Sequence, residues 1–572
     1  MEKKASPFVN TLLGACMSHF SLLQSPWLPV RRRSGSKCVI RPSEIASDID
    51  RDPIVAFAWG RPDFDAASRE FMIGLLATAF PAPSNHRKWK TWWETPPDAD
   101  RLEKAFAPFA GAFNLDGEEP RFMQDFDMLI DTEDSPVVGL LIDAPGANTL
   151  KENKDLFQKR GRIDSLSRAA TAIALYALQI FAPSGGAGHR TSLRGGGPMT
   201  TLVAPPEEIA LWQMLWLATP PEDEAFARAH DEMDRVFPWL APTFPSDGKP
   251  PRLVAPSSNR APWTAHVLQA FWGMPRRIRL IFARNDAGTL CPLTGHVDDV
   301  IVTGFRMRTW GAAYDPAFQH PLSPYYLSKA TPPSWLPVHP KPGGVLYTDW
   351  PALAGSADDA FRPAKMVIEA KTRLADIHDG ARVTECRLLA CGYDMDNMKA
   401  RGFVEAQIPL FILPATTSEQ RQAHLHGLTR RFVEAADLVA SALGIAVCTA
   451  LAGERGDGKA SPFAALRERF FQETRAAFFN HLHGLFDAVE TLDTEEERRP
   501  LVERWLGILR KHAIILFDEA VSFGDMPTKI MERAVPARRA LIGVFLGRGA
   551  LGRKVFTTLE LPLSRTGKGD KK

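Results

Sequence analysis

Between residues 185 and 198 the chain runs Gly185-Gly186-Ala187-Gly188-His189-Arg190-Thr191-Ser192-Leu193-Arg194-Gly195-Gly196-Gly197-Pro198. Six of these fourteen residues are glycine and three of the others are His or Arg. Glycine lets a main chain take positive φ and approach another backbone closely. Arginine and histidine supply N–H donors for anionic oxygens. A loop so composed can lay its backbone against a large polyanion. The alternative is a surface loop of tight turns. The flanks weigh against it: a long apolar helix enters the loop, and Pro198-Met199-Thr200-Thr201-Leu202-Val203 leaves it like a strand. Rigid bases on both sides suit a loop that must hold a shape.

Other basic stretches point the same way. Asn153-Lys154-Asp155-Leu156-Phe157-Gln158-Lys159-Arg160 sets one aromatic in a polar, basic loop, a pattern that stacks on bases. The alternative is a Phe tucked into its own core. Arg276-Arg277-Ile278-Arg279-Leu280-Ile281-Phe282 alternates like a strand with a basic face.

Catalytic patterns fail on spacing. Gly453-Glu454-Arg455-Gly456-Asp457-Gly458-Lys459-Ala460 approaches a phosphate-binding P-loop, but Ala460 fills the Ser/Thr slot and helical sequence precedes it. That loop needs a strand before it, so a helix–helix connection is expected. His481 and His483 lie two apart, whereas ligand pairs on a helix need a spacing of three or four. Cys291 with His296 supplies half of a tetrahedral site. Asp298-Asp299 and Asp394-x-Asp396 lack a partner His. No G-x-S-x-G or H-E-x-x-H occurs. No metal, cofactor or catalytic residue is expected, and the chain is expected not to be an enzyme.

The elements that position these loops follow from pattern. At 572 residues, two to four domains are expected. Net charge of +2 gives no global attraction to nucleic acid, so such binding rests on local patches, here Arg190, Arg194, Arg306 and Arg308. The six cysteines form no C-x-x-C pair, which fits a reducing, cytoplasmic compartment. No uninterrupted apolar run of about 18 residues predicts a membrane span. Residues 1–16 are expected to be a leader or extension, with Met17 an alternative start. Phe20–Val30 is expected as a strand, 66–80 and 98–109 as helices, and 206–218 as a helix rich in Trp and Leu. Asp164 or Ser165 is expected to cap the helix that feeds the glycine loop, with Leu166, Ala169, Ala170, Ile173, Ala174 and Ala177 inward. Past residue 415 helical period dominates, with helices at roughly 417–450, 461–491, 495–523 and 528–547. Short connections favour an antiparallel four-helix bundle. The fold expected is α+β: a mixed α/β body over 17–412, a bundle over 413–563 and a disordered tail over 564–572.

Several stretches together resemble CasA, the large-subunit family of the type I-E CRISPR complex Cascade. They are Trp27-Leu28-Pro29-Val30, Phe122-Met123-Gln124, Thr171-Ala172-Ile173-Ala174-Leu175, Leu193-Arg194-Gly195-Gly196, Phe271-Trp272, Thr303-Gly304-Phe305, His320-Pro321-x-Ser323-Pro324 and Gly392-Tyr393. Each is weak alone; their order across most of the chain is specific. The resemblance implies a non-catalytic subunit. Such a subunit reads the protospacer-adjacent motif (PAM) in double-stranded target DNA from the minor groove, helps open the duplex for guide pairing and recruits a helicase-nuclease. It places the family's glycine loop on Gly185, Gly186, Ala187 and Gly188, and its wedge on Asp396, Asn397 and Met398. Its basic finger falls on Arg306 or Arg308, where some members carry Lys. The loop holding Lys154, Phe157, Lys159 and Arg160 resembles the segment that docks on the guide RNA's 5′ handle and a neighbouring subunit. Some members carry a cysteine cluster where this chain has Cys291 alone, so no zinc is expected. Two rival readings stand beside this one: a purely structural scaffold of a ribonucleoprotein, and a stand-alone metal-dependent nuclease.

Overall fold

Pro62 opens the helix Pro62–Ala79 with a φ already set for it, and Asp63 and Asp65 complement the positive end of its dipole. Almost every side chain from Asp63 to Thr78 is buried, so this helix is an axis of the N-terminal body. Phe71 meets Trp27, Phe113, Phe122, Tyr176 and Trp272 edge-on, with ring centroids 5.3–6.0 Å apart. The computed structural model describes residues 19–563 except 156–159, 206–208, 223–228, 258, 358–359, 378–382, 397, 454–460, 493 and 522–527. The expected leader 1–16 and tail 564–572 lie outside the described residues.

The helix Arg168–Phe181 lies against the first. Its cap is Ser167, whose hydroxyl accepts from the Ala170 N–H at 3.3 Å. Neither Asp164 nor Ser165 caps it, because Leu166–Ser167 first pairs as a strand with Ile301 and Val302. One inward face was expected, yet every residue of this helix but Ala169 is buried. Such a helix is surrounded on all sides. The expected strand Phe20–Val30 is instead Leu28–Arg32, after a turn closed by Ser25 N–H to Ser21 O. It lies between Lys37–Ile40 and Ile54–Phe57. The 98–109 helix is Ala99–Phe106 followed by a 3-10 turn, since Pro108 brings no N–H to continue it. The Trp-rich helix spans Leu211–Leu217.

Two sheets carry the loops of interest. Val300–Arg308 is central in one, antiparallel to Arg277–Arg284 on one side and to Asp134–Pro136 and Leu166–Ser167 on the other. In the second, Thr384–Asp396 lies between Thr200–Ala204 and Lys399–Ile412. The hairpin pairs from Thr384↔Ile412 to Asp396↔Lys399.

The C-terminal helices are Glu419–Ala452, Ser461–Asp487, Glu495–Ala520 and Thr528–Val544, with a fifth, unexpected one at Gly549–Thr558. Gly547 and Gly549, at φ of 70° and 72°, break the chain between the last two. Arg467 pairs with Asp437, and Arg421 with Glu490 in the turn just past the second helix, so the first two helices are antiparallel. Arg469–Glu519 and His512–Glu473 do the same for the second and third. Glu419–Ala452 is long and apolar enough, by composition, to cross a membrane, which the spacing of apolar residues did not lead one to expect. Its charges cluster early, and none occurs from Leu438 to Ala452. Here 61% of its apolar window is buried, and it packs on all the other bundle helices.

Tyr347 joins body to bundle. Its ring stacks on Phe478 at 4.3 Å and its hydroxyl lies 3.0 Å from Thr474 Oγ1. Tyr347→Ala is expected to cost about 3 kcal/mol or more, read as a lower urea midpoint; an unchanged midpoint would remove this residue from the joint. Acid acts on the same core. Burial holds His320 and His481 down to about 4 and His426 down to about 3. The folded chain keeps these imidazoles neutral, so below pH 6.5 the unfolded chain binds more protons. Stability should therefore fall as pH drops from about 6.5 toward 4. A flat melting temperature across that window would contradict it.

Candidate nucleic-acid interface

The glycine loop is closed at its neck by main-chain bonds from Ser192 N–H to Ala182 O and from Gly197 N–H to Phe181 O, both 3.1 Å. Gly185, Gly186 and Ala187 are exposed, and Gly188 is buried. Gly188 takes φ of 79°, and a Cβ there would lie 2.7 Å from Thr309 Cβ. Its carbonyl accepts from the Trp310 N–H at 2.7 Å. At the far end, a Cβ on Gly197 would lie 2.5 Å from Tyr393 O. Glycine is required at both positions by close approach. The loop thus spans from the end of the Val300–Arg308 strand to the base of the hairpin tip. Gly186, at φ of 92°, faces open space.

The loop is pinned from inside by Arg194. Its guanidinium donates to Glu70 Oε1 at 2.5 Å and to Thr200 Oγ1 and Ser323 Oγ at 3.0 Å. His320 Nε2 lies 3.3 Å from the same Glu70 oxygen. Burial pushes the Glu70 carboxyl up, but Arg194 and His320 outweigh it and hold it at about 2. Arg194 was expected in a DNA-facing patch. It is 2% exposed and committed to this ion pair, so that assignment is wrong. Arg190 is half-buried; its Nε and Nη2 donate to Ser246 Oγ and O at 2.7 Å, and it lies 5.1 Å over the Trp310 ring. The expected basic face of Arg276–Phe282 is also internal. Arg277 pairs with Asp125 and Asp127, Arg279 with Glu119, and Arg276 donates to Pro183 O.

Arg306 and Arg308 share one strand face and are partly exposed. Arg306 bonds Asp134 at 2.7 Å; Arg308 pairs with Asp131 and, at 3.6 Å, with Asp127. At the hairpin tip, Asp396↔Lys399 closes a two-residue turn, and Met398 is 54% exposed. Asn397 lies outside the described residues. Asp394 and Asp396 both pair with Arg401. Tyr393 fixes the hairpin by donating to Asp63 Oδ2 at 2.7 Å. Phe157 and Lys159 lie outside the described residues. Nearby, Arg160 bonds Asp155 at 2.6 Å and Lys154 pairs with Glu152.

The structure therefore brings Gly185–Gly188 beside the end of the strand that carries Arg306 and Arg308, and ties the loop's far end to the hairpin that carries Asp396 and Met398. Sequence reasoning missed Trp310, Glu70 and the acidic segment around Asp127–Asp134. The Asp125-x-Asp127…Asp131…Asp134 spacing was the available signal for the last. Among the described residues, no group of three His, Cys, Asp or Glu is placed to hold a metal. Asp298 and Asp299 take Arg168; His481 packs on Phe432 and Trp505. Burial raises the Cys291 thiol, but hydrogen bonding with Ser167 and Thr294 brings it below its ordinary value. Among the described residues, Cys38, Cys291, Cys391 and Cys448 form no disulfide. A helix, not a strand, leads into Gly453.

Comparison with known proteins is consistent across the chain. The profile of the CRISPR-associated protein Cse1 family matches residues 21–515. Thermobifida fusca Cse1 superposes with a TM-score of 0.65 at 19% identity, over 95% of this chain and 99% of that one. CasA from Thermus thermophilus superposes at 0.64 and 16% identity, over 93% and 100%. A chain of a CRISPR RNA-guided surveillance complex does so at 0.60 and 16%, over 92% and 99%.

Proposed function

Because the chain belongs to the CRISPR-associated Cse1 (CasA) family, we propose that it is the large subunit of a type I-E surveillance complex and reads the PAM in double-stranded DNA. One observation supports this most: an exposed main-chain edge at Gly185–Ala187, docked on Trp310 through Gly188. The minor groove is about 6 Å wide, so a bare backbone enters where side chains clash. Met398, exposed at the hairpin tip that carries Asp396, is an apolar wedge for a base step, with Asn397 its neighbour in sequence. Reading a short duplex tag by protein and the long sequence by base pairing is the division of labour this implies. The subunit has no catalytic role; a separate helicase-nuclease is recruited once the duplex is open. Lys154, Phe157, Lys159 and Arg160 dock it on the guide RNA's 5′ handle and the adjoining subunit, in the cytoplasm.

Arg306 and Arg308 bind phosphate after releasing Asp134 and Asp131. Replacing both by Ala should lower the log–log salt slope of duplex binding by about 0.9 for each phosphate no longer neutralised. An unchanged slope would take them off the DNA. The same ion pairs favour a second reading, a scaffold subunit that never touches DNA, since its cations are already neutralised. A photocrosslinker at Ala187 separates the two: target DNA is captured in the first reading, protein alone in the second.

A further inference from the structure

A cavity of about 320 Å³ opens at the second half of the glycine loop, with Thr191–Gly195 along one side. Tyr314, Phe318, Tyr326 and Trp335 supply aromatic faces to the rest of its lining, between Pro316, Leu336 and Pro337. Such a volume lies at the small end of the range for ligand sites, about 300–1,000 Å³. It suits one planar group and excludes a base pair. Arg194 also lines it, but its charge is taken by Glu70; two other cations stand at or beside it. Arg190, two residues beyond Gly188, lines the cavity with its Nε and Nη2 already bonded to Ser246, so its position is fixed. Arg362 lies 3.7 Å from the Trp335 ring centre, which steadies that ring and brings a second positive charge to the rim. Tyr326 is 36% exposed, so its ring can be reached from solvent.

Aromatic faces beside fixed cations are what an unstacked nucleotide needs. Stacking on such rings is favourable and tolerates any base. A duplex held at Gly185–Ala187 and opened beside that loop releases single-stranded nucleotides next to this cavity. We propose that the cavity receives one unstacked nucleotide of the opened target, its base against Tyr326 and Trp335 and its phosphate at Arg190. This rests on the duplex-reading function proposed above and adds a single-strand site to it. Holding one displaced nucleotide opposes re-annealing, so the site acts on how long the duplex stays open rather than on which motif is read.

The test uses the assembled complex and target duplexes carrying one 2-aminopurine at successive displaced-strand positions beside the motif. At one position the wild-type complex should quench the probe. Trp335→Ala and, separately, Tyr326→Ala should restore emission to the level of free single strand, while Trp335→Phe keeps the quench. Affinity for a motif-bearing duplex that cannot pair with the guide should change less than twofold, and affinity for the fully matched target should fall about tenfold. Identical emission at every position in wild type and variants, with motif binding intact, would overturn the nucleotide site and leave duplex reading standing. Loss of a neighbouring subunit from the Tyr326→Ala complex, seen by native mass, would overturn it in favour of a protein occupant. A wild-type complex that ignores the motif would remove the duplex-reading function itself.

Discussion

Ala187→Asp is expected to lower the affinity of the assembled complex for PAM-bearing duplex on the order of 100-fold, about 2.8 kcal/mol, with no fall in melting temperature. Ala187 is exposed and has no positive φ, so a side chain there costs the fold little. In the proposed complex the new carboxylate stands among phosphates. Two like charges about 4 Å apart at a protein surface repel by ~4 kcal/mol before salt screening, which is enough for the loss named. The glycines on either side are poorer probes. Gly186 takes φ of 92°, where any side chain is strained. Gly188 is wedged under Thr309 and Trp310, so an Asp there unseats the loop before DNA is involved. Ala187 separates a reading loop from a merely structural one. Unchanged affinity would leave the scaffold reading in place; a lowered melting temperature would return the loop to the fold.

Arg194→Ala is expected to destabilise the chain by about 3–5 kcal/mol, the usual consequence of leaving a buried charge without its partner. Glu70 is 1% exposed, and Arg194 is its counter-charge, with the neutral His320 imidazole 3.3 Å from the same oxygen. Lysine should not rescue. One ammonium does not reproduce the planar fork that reaches Glu70, Thr200 and Ser323 together. Removing both charges, as Glu70→Gln with Arg194→Met, should recover much of the loss, because the penalty lies in the unpaired carboxylate. Urea unfolding of the isolated chain checks all three variants. Stability unchanged by Arg194→Ala, with a shallower salt slope for duplex binding, would put Arg194 back on the DNA.

The architecture was largely legible because it is written in local pattern. Leu501, Trp505, Leu509 and Leu516 recur at helical spacing, and the helix Glu495–Ala520 buries three of these four, Trp505, Leu509 and Leu516. The glycine-rich composition of 185–197 likewise marked the close approaches that Gly188 and Gly197 make. The fate of individual cations was not legible. Arg194, Arg277 and Arg279 look like surface charge in sequence, yet each is taken by an acid distant in the chain: Glu70, Asp125 and Glu119. A one-dimensional pattern records a charge but not the partner that the fold brings to it. The cap of Arg168–Phe181 was misplaced for a related reason. Strand pairing at Leu166–Ser167 depends on Ile301 and Val302, more than a hundred residues away. The hairpin Thr384–Ile412 is hard to see in sequence because Lys399–Ala406 alternates weakly and half of its residues are exposed.

Which groove the loop enters is the most direct question for this account. Inosine in place of guanine removes the minor-groove amino group and leaves the major-groove edge alone; 2,6-diaminopurine in place of adenine adds that amino group; 7-deazaguanine alters the major groove only. Affinities of the assembled complex for motif duplexes carrying each analogue in turn would give the answer. A backbone loop at the groove floor predicts that inosine or diaminopurine within the motif shifts affinity tenfold or more while 7-deazaguanine leaves it within twofold. The reverse pattern, loss with 7-deazaguanine and indifference to the minor-groove analogues, would contradict it.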